Sequence, residues 1–359
     1  MADLIISVAD QVFKKTASTG IYNFSMGLVD ALAGVPATNL TVFANPAQQF
    51  GSRIHEKSVQ RFDGPARSIV ERIIWDQWGV YRAAKKTACD WLLLPKGFSS
   101  FLTACPVKLA VYIHDIIPLV YAERYPASIS RKKYLYLKQS YRGTLQSAEV
   151  VFTNTEYTRG EIERWARENK IRCPPVCVAG YGFSPPKPDL SVEKKDTIAV
   201  LIRPDPHKRP DLCLKYMERW QAESGWTGGI VFIGCDAVQL RATPHSGWKW
   251  AGRISSSRCL QLMREARAVV HFTEYEGFGM PPVEAVMAGS CPVFSAIPVA
   301  LEVMGDCGAG FENSSYESFC RAMYQALASG NEQIAGWQQW LSRRHSWDRV
   351  ARCITSTLQ

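Results

Sequence analysis

The sequence predicts an α/β protein built from two doubly wound parallel sheets, and three observations support this fold class. Short apolar segments rich in β-branched residues recur along the chain with helical patterns between them, as expected for parallel strands buried on both faces. These segments form two series, separated at residues 180–188 by a stretch rich in glycine and proline. The length of 359 residues suits two such domains.

The individual elements follow from the same patterns. The first series predicts strands at residues 4–9, 40–43, 91–95, 109–113 and 150–153. The second series predicts strands at residues 197–202, 230–234, 269–273 and 292–295. Helices are expected at residues 21–32, 316–329 and 332–341, and a last helix should follow Ser346, a suitable N-cap.

The predicted domains meet in the stretch rich in glycine and proline. We expect an N-terminal domain at residues 1–185 and a C-terminal domain at residues 186–345, with a hinge near residues 182–195. The last helix, at about residues 345–359, is a candidate to pack back on the N-terminal domain.

The composition is that of an ordinary globular protein, with 47% hydrophobic and 21% charged residues. No segment approaches the roughly 18–20 uncharged apolar residues that a transmembrane helix needs, and no basic region precedes a signal-like segment. A cytoplasmic location is therefore expected. The eleven cysteines are scattered without a matching pair of ligands, which favours reduced thiols over a zinc site. No metal or other cofactor is expected.

Positive charge is concentrated in the N-terminal half. Through residue 190 the chain has 24 Lys and Arg against 16 Asp and Glu, whereas the remainder is nearly balanced. This distribution indicates an anionic partner for the N-terminal half, either an acceptor that carries phosphate or an acidic membrane surface.

The segment with the most specific chemistry is EGFGMPPVE at residues 276–284, which follows a predicted strand. Parallel α/β domains bind ligands at the carboxyl ends of their strands. Gly277 and Gly279 allow close approach of the backbone, and the helix that follows favours phosphate at its N-terminus. Glu284 is suited to accept hydrogen bonds from ribose hydroxyls, and Glu276 can reach a transferred sugar.

A lone Gly-x-Gly pair is equally typical of an ordinary turn, but the whole block resembles the glycosyltransferase family 4 group of GT-B enzymes. In the family signature, EGFGxPxxEA, seven residues separate two glutamates, as they separate Glu276 from Glu284. The resemblance extends through MAGSCPV at residues 287–293 to Glu302. It implies the GT-B fold, two Rossmann-like domains with an interdomain cleft, in which residues 1–185 would bind the acceptor and residues 186–345 the nucleotide sugar. The donor site that it implies consists of Gly20, Gly277, Phe278, Gly279, Met280 and Glu284.

A second basic element, IRPDPHK, spans residues 202–208 at the end of the first C-terminal strand. Arg203 and Lys208 are suited to hold a diphosphate, although two solvated surface cations are the alternative. The family has Gly-Arg followed by Lys at this place. Ile202 replaces the usual glycine and Pro204 is atypical, so the path of the loop is expected to differ.

Two features of the N-terminal half also match family segments. His114, in IHDIIP at residues 113–118, follows a strand, and the resemblance places it beside the donor sugar and the acceptor. A structural hydrogen-bonding role is the alternative. Gly20 lies where the family has a glycine-rich loop facing the donor phosphates, but one of the two usual glycines is missing, so Ser18 or Thr19 could supply a hydroxyl.

The stretch from Arg124 to Arg142 has six cations and no acid, interleaved with tyrosines. As a helix it could dock on an anionic membrane, and a solvated helix with tyrosines half in the core is the alternative. The acceptors typical of the family, lipid-linked glycans at the inner face of the cytoplasmic membrane, favour docking. No motif for binding nucleic acid is present.

These observations and the resemblance predict a retaining, metal-independent hexosyltransferase. It would move a sugar from a nucleoside-diphosphate sugar, with GDP-mannose the first candidate, to a lipid-linked or growing polysaccharide or lipopolysaccharide glycan. The expected catalytic residues are Glu276, His114, Arg203 and Lys208. A GT-B epimerase or synthase with a soluble acceptor, and a catalytically silent GT-B binding module, are the alternatives.

Overall fold

The computed structural model describes residues 2–12, 19–36, 38–183, 192–243 and 245–359. The chain divides into two compact units. Unit 1 comprises Met1–Ser184 and His345–Gln359, and unit 2 comprises Pro185–Arg344. Most of the hinge predicted from the sequence lies outside the described residues.

Unit 1 contains a parallel seven-stranded sheet with the order β3-β2-β1-β4-β5-β6-β7. Its strands are β1 (Ala2–Ser7), β2 (Thr38–Ala44), β3 (Val59–Arg61), β4 (Trp91–Leu94), β5 (Lys108–Ile113), β6 (Val150–Thr153) and β7 (Val176–Val178). β2 pairs with one edge of β1, and β3 pairs with β2. β4 pairs with the other edge of β1. The strand order therefore reverses between β1 and β4, where open parallel sheets form a crevice for ligands.

Unit 2 contains a parallel six-stranded sheet with the order β10-β9-β8-β11-β12-β13. Its strands are β8 (Thr197–Leu201), β9 (Gly229–Ile233), β10 (Trp248–Gly252), β11 (Ala268–His271), β12 (Cys291–Ser295) and β13 (Ala309–Phe311). Here the order reverses between β8 and β11, which pair directly. Both units therefore have the predicted fold class, doubly wound α/β.

The helices connect these strands and cover both faces of each sheet. Unit 1 has α1 (Thr19–Ala33), α2 (Ile69–Ile74), α3 (Val80–Lys85), α4 (Ile117–Arg124), α5 (Arg131–Ser147) and α6 (Glu156–Glu168). Unit 2 has α7 (Pro210–Ser224), α8 (Ala237–Leu240), α9 (Ser256–Glu265), α10 (Met280–Met287), α11 (Pro298–Met304), α12 (Tyr316–Ala328) and α13 (Asn331–Arg344). Because helices lie on both faces, central strands such as β4 and β11 are buried along their whole length.

The last helix, α14 (Trp347–Thr357), belongs to unit 1 and packs against α1. Ser346 caps its N-terminus by accepting a hydrogen bond from Arg349 N, as the sequence predicts. Its Trp347 ring occupies space left by two glycines, since a Cβ atom at Gly27 or Gly182 would lie only 2.2 or 2.3 Å from the ring. This contact joins α14 to the rest of unit 1.

Four short strands were not predicted, namely β3, β7, β10 and β13. Three of them have only three residues, and all four lie at a sheet edge. The fourth, β10, has the sequence WKWAG, which lacks the β-branched residues typical of strands. These strands form because a neighbouring strand offers hydrogen-bonding partners, which the local sequence does not reveal.

Candidate functional site

The loop between β11 and α10 carries the predicted glutamates. It spans residues 272–279 and ends at Gly279, whose φ of 86° lies in the left-handed region that glycine favours. Phe278 is 5% exposed and holds the loop against the protein. Pro281 and Pro282 lack N–H groups, so the first turn of α10 offers an anion fewer donors than an ordinary helix does.

Glu276 is the best-buried carboxylate of this loop. Its Oε1 accepts a hydrogen bond from Lys208 Nζ, and His271 Nε2 lies 3.7 Å from the same oxygen. Burial is the largest single effect and raises the pKa of the Glu276 carboxyl, but the charge and hydrogen bond of Lys208, together with His271 and His207, outweigh it and hold this pKa below its usual value. The site therefore contains an ion pair with both side chains almost 90% buried.

The histidines around this pair are neutral. Burial, together with the charge of Lys208, lowers the pKa of His271 to about 3 and that of His207 to about 4. Neither ring adds positive charge at neutral pH. The sequence reasoning did not select either histidine, although a polar residue at the end of a buried strand, as His271 is, was an available signal.

His207 also connects the two loops of the site through its backbone. Its carbonyl oxygen accepts hydrogen bonds from Glu274 N, at 2.8 Å, and from Thr273 Oγ1, at 3.2 Å. The loop after β8 and the loop after β11 are therefore joined directly. This joint fixes the distance over which Lys208 reaches Glu276.

A polar network supports the start of the β11–α10 loop. Thr273 N donates to Ser295 Oγ, Ser295 Oγ donates to Asn313 Oδ1, and Asn313 Nδ2 donates back to Thr273 O, at 2.9, 2.7 and 2.9 Å. This closed ring satisfies the polar groups at the ends of β11, β12 and β13. No sequence signal pointed to it, because its members are far apart in the chain.

Arg203 and Arg209 have different environments from that of Lys208. Arg203 is exposed and pairs with Asp205, at 2.9 Å, rather than with Glu276. Arg209, which the sequence reasoning did not select, has a left-handed backbone conformation with φ of 45° and pairs with Asp211 and Glu274. Such a conformation is uncommon for a residue other than glycine and often occurs at functional loops.

Glu284 lies in the second turn of α10, as expected for the second glutamate of the motif. The residue as a whole is exposed, but its carboxyl group is surrounded by protein, and this burial raises the pKa of the Glu284 carboxyl. Met280, the first residue of α10, is half-buried. None of the hydrogen bonds of the described residues joins Glu284 to the Lys208–Glu276 pair, so the two glutamates have separate surroundings.

His114 lies in unit 1, directly after β5. Its Nε2 is 2.8 Å from Pro95 O, and its ring meets Phe24 edge-on with centroids 4.7 Å apart. Burial lowers the pKa of His114 to about 4, so the ring is neutral and Nε2 carries the proton that it donates to Pro95. His114 therefore makes the structural hydrogen bond that the sequence offered as its alternative role. Only Nδ1 of its ring remains to contact a substrate.

Gly20 is exposed in the first turn of α1, and its carbonyl accepts a hydrogen bond from Tyr181 OH at 3.4 Å. Ser18 and the Thr19 side chain lie outside the described residues, so their predicted role stays a prediction. Among the residues that the structure describes, no group of three or more His, Cys, Asp or Glu side chains is arranged to hold a metal ion. Nor is any described helix both long and apolar enough to cross a membrane.

Comparisons with known proteins bear on the family and the fold of the chain. Residues 186–335 match the family model described as glycosyl transferases group 1. The chain is 23% identical over 264 residues to the O-antigen chain mannosyltransferase B of Escherichia coli, with 68% of each chain covered.

The solved structures that resemble the whole chain include a sucrose-phosphate synthase and the protein HepE. Sucrose-phosphate synthase from Thermosynechococcus elongatus has a TM-score of 0.68 and 13% identity, with 99% of this chain and 98% of that chain covered. The Anabaena protein HepE, solved with UDP and glucose, has a TM-score of 0.66 and 14% identity, with 100% of this chain and 99% of that chain covered. Residues 186–335 therefore resemble the glycosyl transferases group 1 family, and the chain as a whole has the GT-B fold.

Proposed function

We propose that this protein is a retaining glycosyltransferase that moves a hexosyl group from a nucleoside-diphosphate sugar to a hydroxyl of a lipid-linked or growing glycan, without a metal ion. The observation that carries the proposal is the buried Lys208–Glu276 pair between the ends of β8 and β11. An ammonium and a carboxylate at this place match the two chemically different parts of such a donor, its diphosphate and its sugar.

In this proposal the donor diphosphate lies beside Lys208 and the start of α10. Lys208 has three N–H donors and uses one for Glu276, so it can also bind a phosphate oxygen. Because the pair is removed from water, its attraction to the negative charge that develops on the leaving diphosphate is only weakly screened. Arg203, which is exposed, adds charge at the solvent side of the same loop.

The two glutamates are assigned to different parts of the donor. Glu276, held by Lys208, accepts hydrogen bonds from hydroxyls of the transferred sugar, and Glu284 accepts them from the ribose. The backbone from Gly277 to Met280 approaches the phosphates closely because Gly279 permits the sharp entry into α10.

The proposed reaction breaks the bond between the anomeric carbon and the diphosphate oxygen and forms a bond to the acceptor oxygen on the same face of the sugar. The acceptor hydroxyl proton passes to the departing phosphate oxygen. No protein base is needed, which agrees with the low pKa values of His271, His207 and His114, since an imidazole with a pKa of about 3 to 4 is a weak base. His114 would contact a substrate hydroxyl as a neutral ring through Nδ1.

GDP-mannose is the first candidate donor, because the Escherichia coli relative is a mannosyltransferase. UDP-glucose is the second candidate, because HepE was solved with UDP and glucose, although a likeness at 14% identity supports the fold alone. A thermal-shift screen of GDP-, UDP- and dTDP-sugars against the full chain tests both, since a ligand that binds only the folded state raises the melting temperature.

The screen has clear outcomes. A shift with one sugar nucleotide that is lost in Lys208→Met supports the proposed site. A shift that persists in Lys208→Met places the nucleotide elsewhere, and no shift with any sugar nucleotide contradicts the proposal. Release of the nucleotide only when an acceptor is added separates a transferase from an epimerase or a silent binding module.

An anionic membrane surface is the proposed docking partner of unit 1. On α5, Arg131, Leu135, Lys138 and Arg142 are spaced four, three and four residues apart and so share one face, while Tyr141 is buried in the core. Arg124 belongs to α4 instead. The large hydrophobic side chains that unit 1 exposes among its described residues all lie on α5 or on the neighbouring segments 69–78 and 101–102, namely Ile69, Val70, Ile74, Trp78, Phe101, Leu102 and Leu135.

These segments form one surface. Gln77 Oε1 accepts hydrogen bonds from Ser100 Oγ and Phe101 N, and Gln77 Nε2 donates to Tyr136 OH on α5. Apolar side chains beside a row of cations suit an anionic bilayer. Docking is supported if the protein binds vesicles that contain anionic lipid and does not bind neutral vesicles. Ile74→Ser should weaken this binding, whereas the control Val238→Ser in unit 2 should not. Equal binding to neutral vesicles contradicts docking.

A further inference from the structure

A second group of buried charges lies in unit 1, where the strand order reverses between β1 and β4. Lys96, two residues after β4, forms ion pairs with Asp10, which follows β1, and with Asp76, which lies in a π-helical turn between α2 and α3. All three side chains are at most 6% exposed. We call these three residues the unit 1 triad.

The triad occupies the place in its sheet that Lys208 and Glu276 occupy in unit 2. In unit 1 the triad joins the loop after β1 to the loop after β4, and in unit 2 the ion pair joins the loop after β8 to the loop after β11. In each sheet these are the two neighbouring strands between which the strand order reverses. Open parallel sheets bind their ligands at this place. A π-helical turn next to it is a further mark of a functional site.

Polar atoms without partners point to a ligand at the triad. Nine buried side-chain nitrogen or oxygen atoms of the described residues make no hydrogen bond, and four of these belong to Ser7, Asp10 and Gln11. Asp10 Oδ1 and both polar atoms of the Gln11 side chain are among them, although these residues are only 6% and 3% exposed. Leaving such groups buried and unpaired destabilises the folded state, so natural proteins rarely do so without a reason.

The backbone that carries these atoms is firmly held. Asn45 Nδ2 donates to Ala9 O and Gln11 O, and Gln48 Nε2 donates to Val8 O and Gln11 O, at distances between 2.9 and 3.1 Å. Four hydrogen bonds from one turn therefore fix residues 8–11 at the end of β1. The unpartnered side chains are positioned by this clamp and are not on a loosely held loop.

The charges of the triad define the class of ligand. The Lys96 ammonium already faces two carboxylates, so the cluster offers no uncompensated positive charge to a phosphate. Asp10 Oδ1 can accept a hydrogen bond from a hydroxyl, and the Gln11 amide can both donate and accept one. Neighbouring hydroxyls of a neutral sugar ring have this pattern of donors and acceptors.

We propose that Asp10 and Gln11, positioned by Lys96 and Asp76, bind hydroxyls of an uncharged sugar residue of the acceptor. This inference rests on the proposed transferase function, since it names the class of acceptor. It differs from the expectation that the basic N-terminal half binds a phosphate-bearing acceptor. The excess cations of that half lie largely outside the triad, for example on the exposed face of α5.

The test measures binding of free sugars to the full chain by saturation-transfer NMR titration. Methyl α-D-mannopyranoside and methyl α-D-glucopyranoside are the neutral probes, and mannose 6-phosphate is the charged one. We expect at least one neutral glycoside to bind more tightly than the phosphate. Gln11→Met and Asp10→Asn should weaken its binding about tenfold or more, as expected for a lost hydrogen bond to a buried polar or charged group.

The control variant is Ser25→Ala, which removes another unpartnered buried hydroxyl of unit 1 but lies within α1. It should leave glycoside binding unchanged. Absence of binding by both neutral glycosides, preference for the phosphate, or unchanged binding in Gln11→Met would overturn the inference. A Gln11→Met protein that melts higher and binds glycoside normally would show that the amide is only a structural defect.

The sugar-nucleotide screen separates this inference from the proposed function. Gln11→Met should retain the wild-type melting-temperature shift with the donor, because Lys208 and Glu276 are unchanged. Glycoside binding at the triad without any donor shift would contradict the transferase proposal alone. A normal donor shift without glycoside binding would contradict the triad inference alone.

Discussion

The two sheets place a lysine and a carboxylate at the same topological position but in reversed order. In unit 2 the lysine follows the first strand, β8, and the glutamate follows β11; in unit 1 the aspartate follows β1 and the lysine follows β4. Unit 1 adds a second carboxylate, Asp76, whereas unit 2 adds two neutral histidines near its pair. The fold therefore determines where polar groups gather, and the balance of charge determines what they can bind.

This difference in charge predicts different substrates. The pair in unit 2 is balanced and keeps spare lysine donors, which suits a diphosphate beside a sugar. The triad in unit 1 has more carboxylate than ammonium, which suits hydroxyls. Burial, together with the charge of Asp10, raises the pKa of the Asp76 carboxyl above its usual value, although Lys96 opposes this effect.

The largest expected effect is on the stability of unit 1. Lys96→Met leaves Asp10 and Asp76 buried without a cation, and breaking a buried ion pair in this way costs about 3–5 kcal/mol. Chemical denaturation at pH 7 would measure this loss. The double variant Lys96→Met with Asp76→Asn should recover part of the stability; a single variant as stable as wild type would show that the triad is not a coupled group.

The next effect is on catalysis in unit 2. Glu276→Gln keeps the shape of the side chain but removes its charge and its pairing with Lys208. We expect kcat to fall about 100- to 1,000-fold, as when one preorganised polar contact to a transition state is removed, with a smaller change in nucleotide affinity. Glu274→Gln, on the same loop, is the matched control, and equal losses in both variants would argue against a special role of Glu276.

Acid should destabilise the protein through its buried histidines. The folded-state pKa values of His114 and His207 are about 4, below the usual value of 6.5. Above pH 6.5 both histidines are neutral in the folded and in the unfolded chain, so they do not affect the free energy of unfolding. As the pH falls from 6.5 towards 4, the histidines of the unfolded chain bind protons before those of the folded chain do, and the free energy of unfolding decreases. Each histidine changes the free energy of unfolding by at most about 1.4 kcal/mol per pH unit.

Melting temperatures from pH 7 to 4.5 measure this effect. His114→Phe should flatten the pH dependence in unit 1 and His207→Phe that in unit 2, so the two variants compare the units directly. An unchanged slope in both variants would mean that carboxylates, not these histidines, control the acid response.

The smallest expected effect concerns Arg203. Its exposed ion pair with Asp205 should contribute less than about 1 kcal/mol to stability. Arg203→Ala should therefore melt within a few degrees of wild type, while activity falls less than in Lys208→Met. A loss of activity as large as that of Lys208→Met would show that the loop rearranges to bring Arg203 onto the diphosphate.

The sequence predicted most of the fold, because long apolar strands and periodic helices are local signals. It located Glu276 and Lys208 by their positions after strands and by the family resemblance. It did not predict that they pair, since the pairing depends on how two loops 68 residues apart approach. The unit 1 triad was missed for the same reason. Asp10 and Lys96 are single charges in unremarkable surroundings, and only the sheet order brings them together.

The position of α14 has a consequence for the synthesis of the chain. Its Trp347 fills the space beside Gly27 and Gly182 in unit 1, yet it follows the whole of unit 2 in the sequence. During synthesis α1 therefore has an open surface beside Gly27 until α14 leaves the ribosome. Completion of unit 1 depends on residues that are translated after unit 2, so a ribosome that stalls within unit 2 would leave unit 1 without its covering helix.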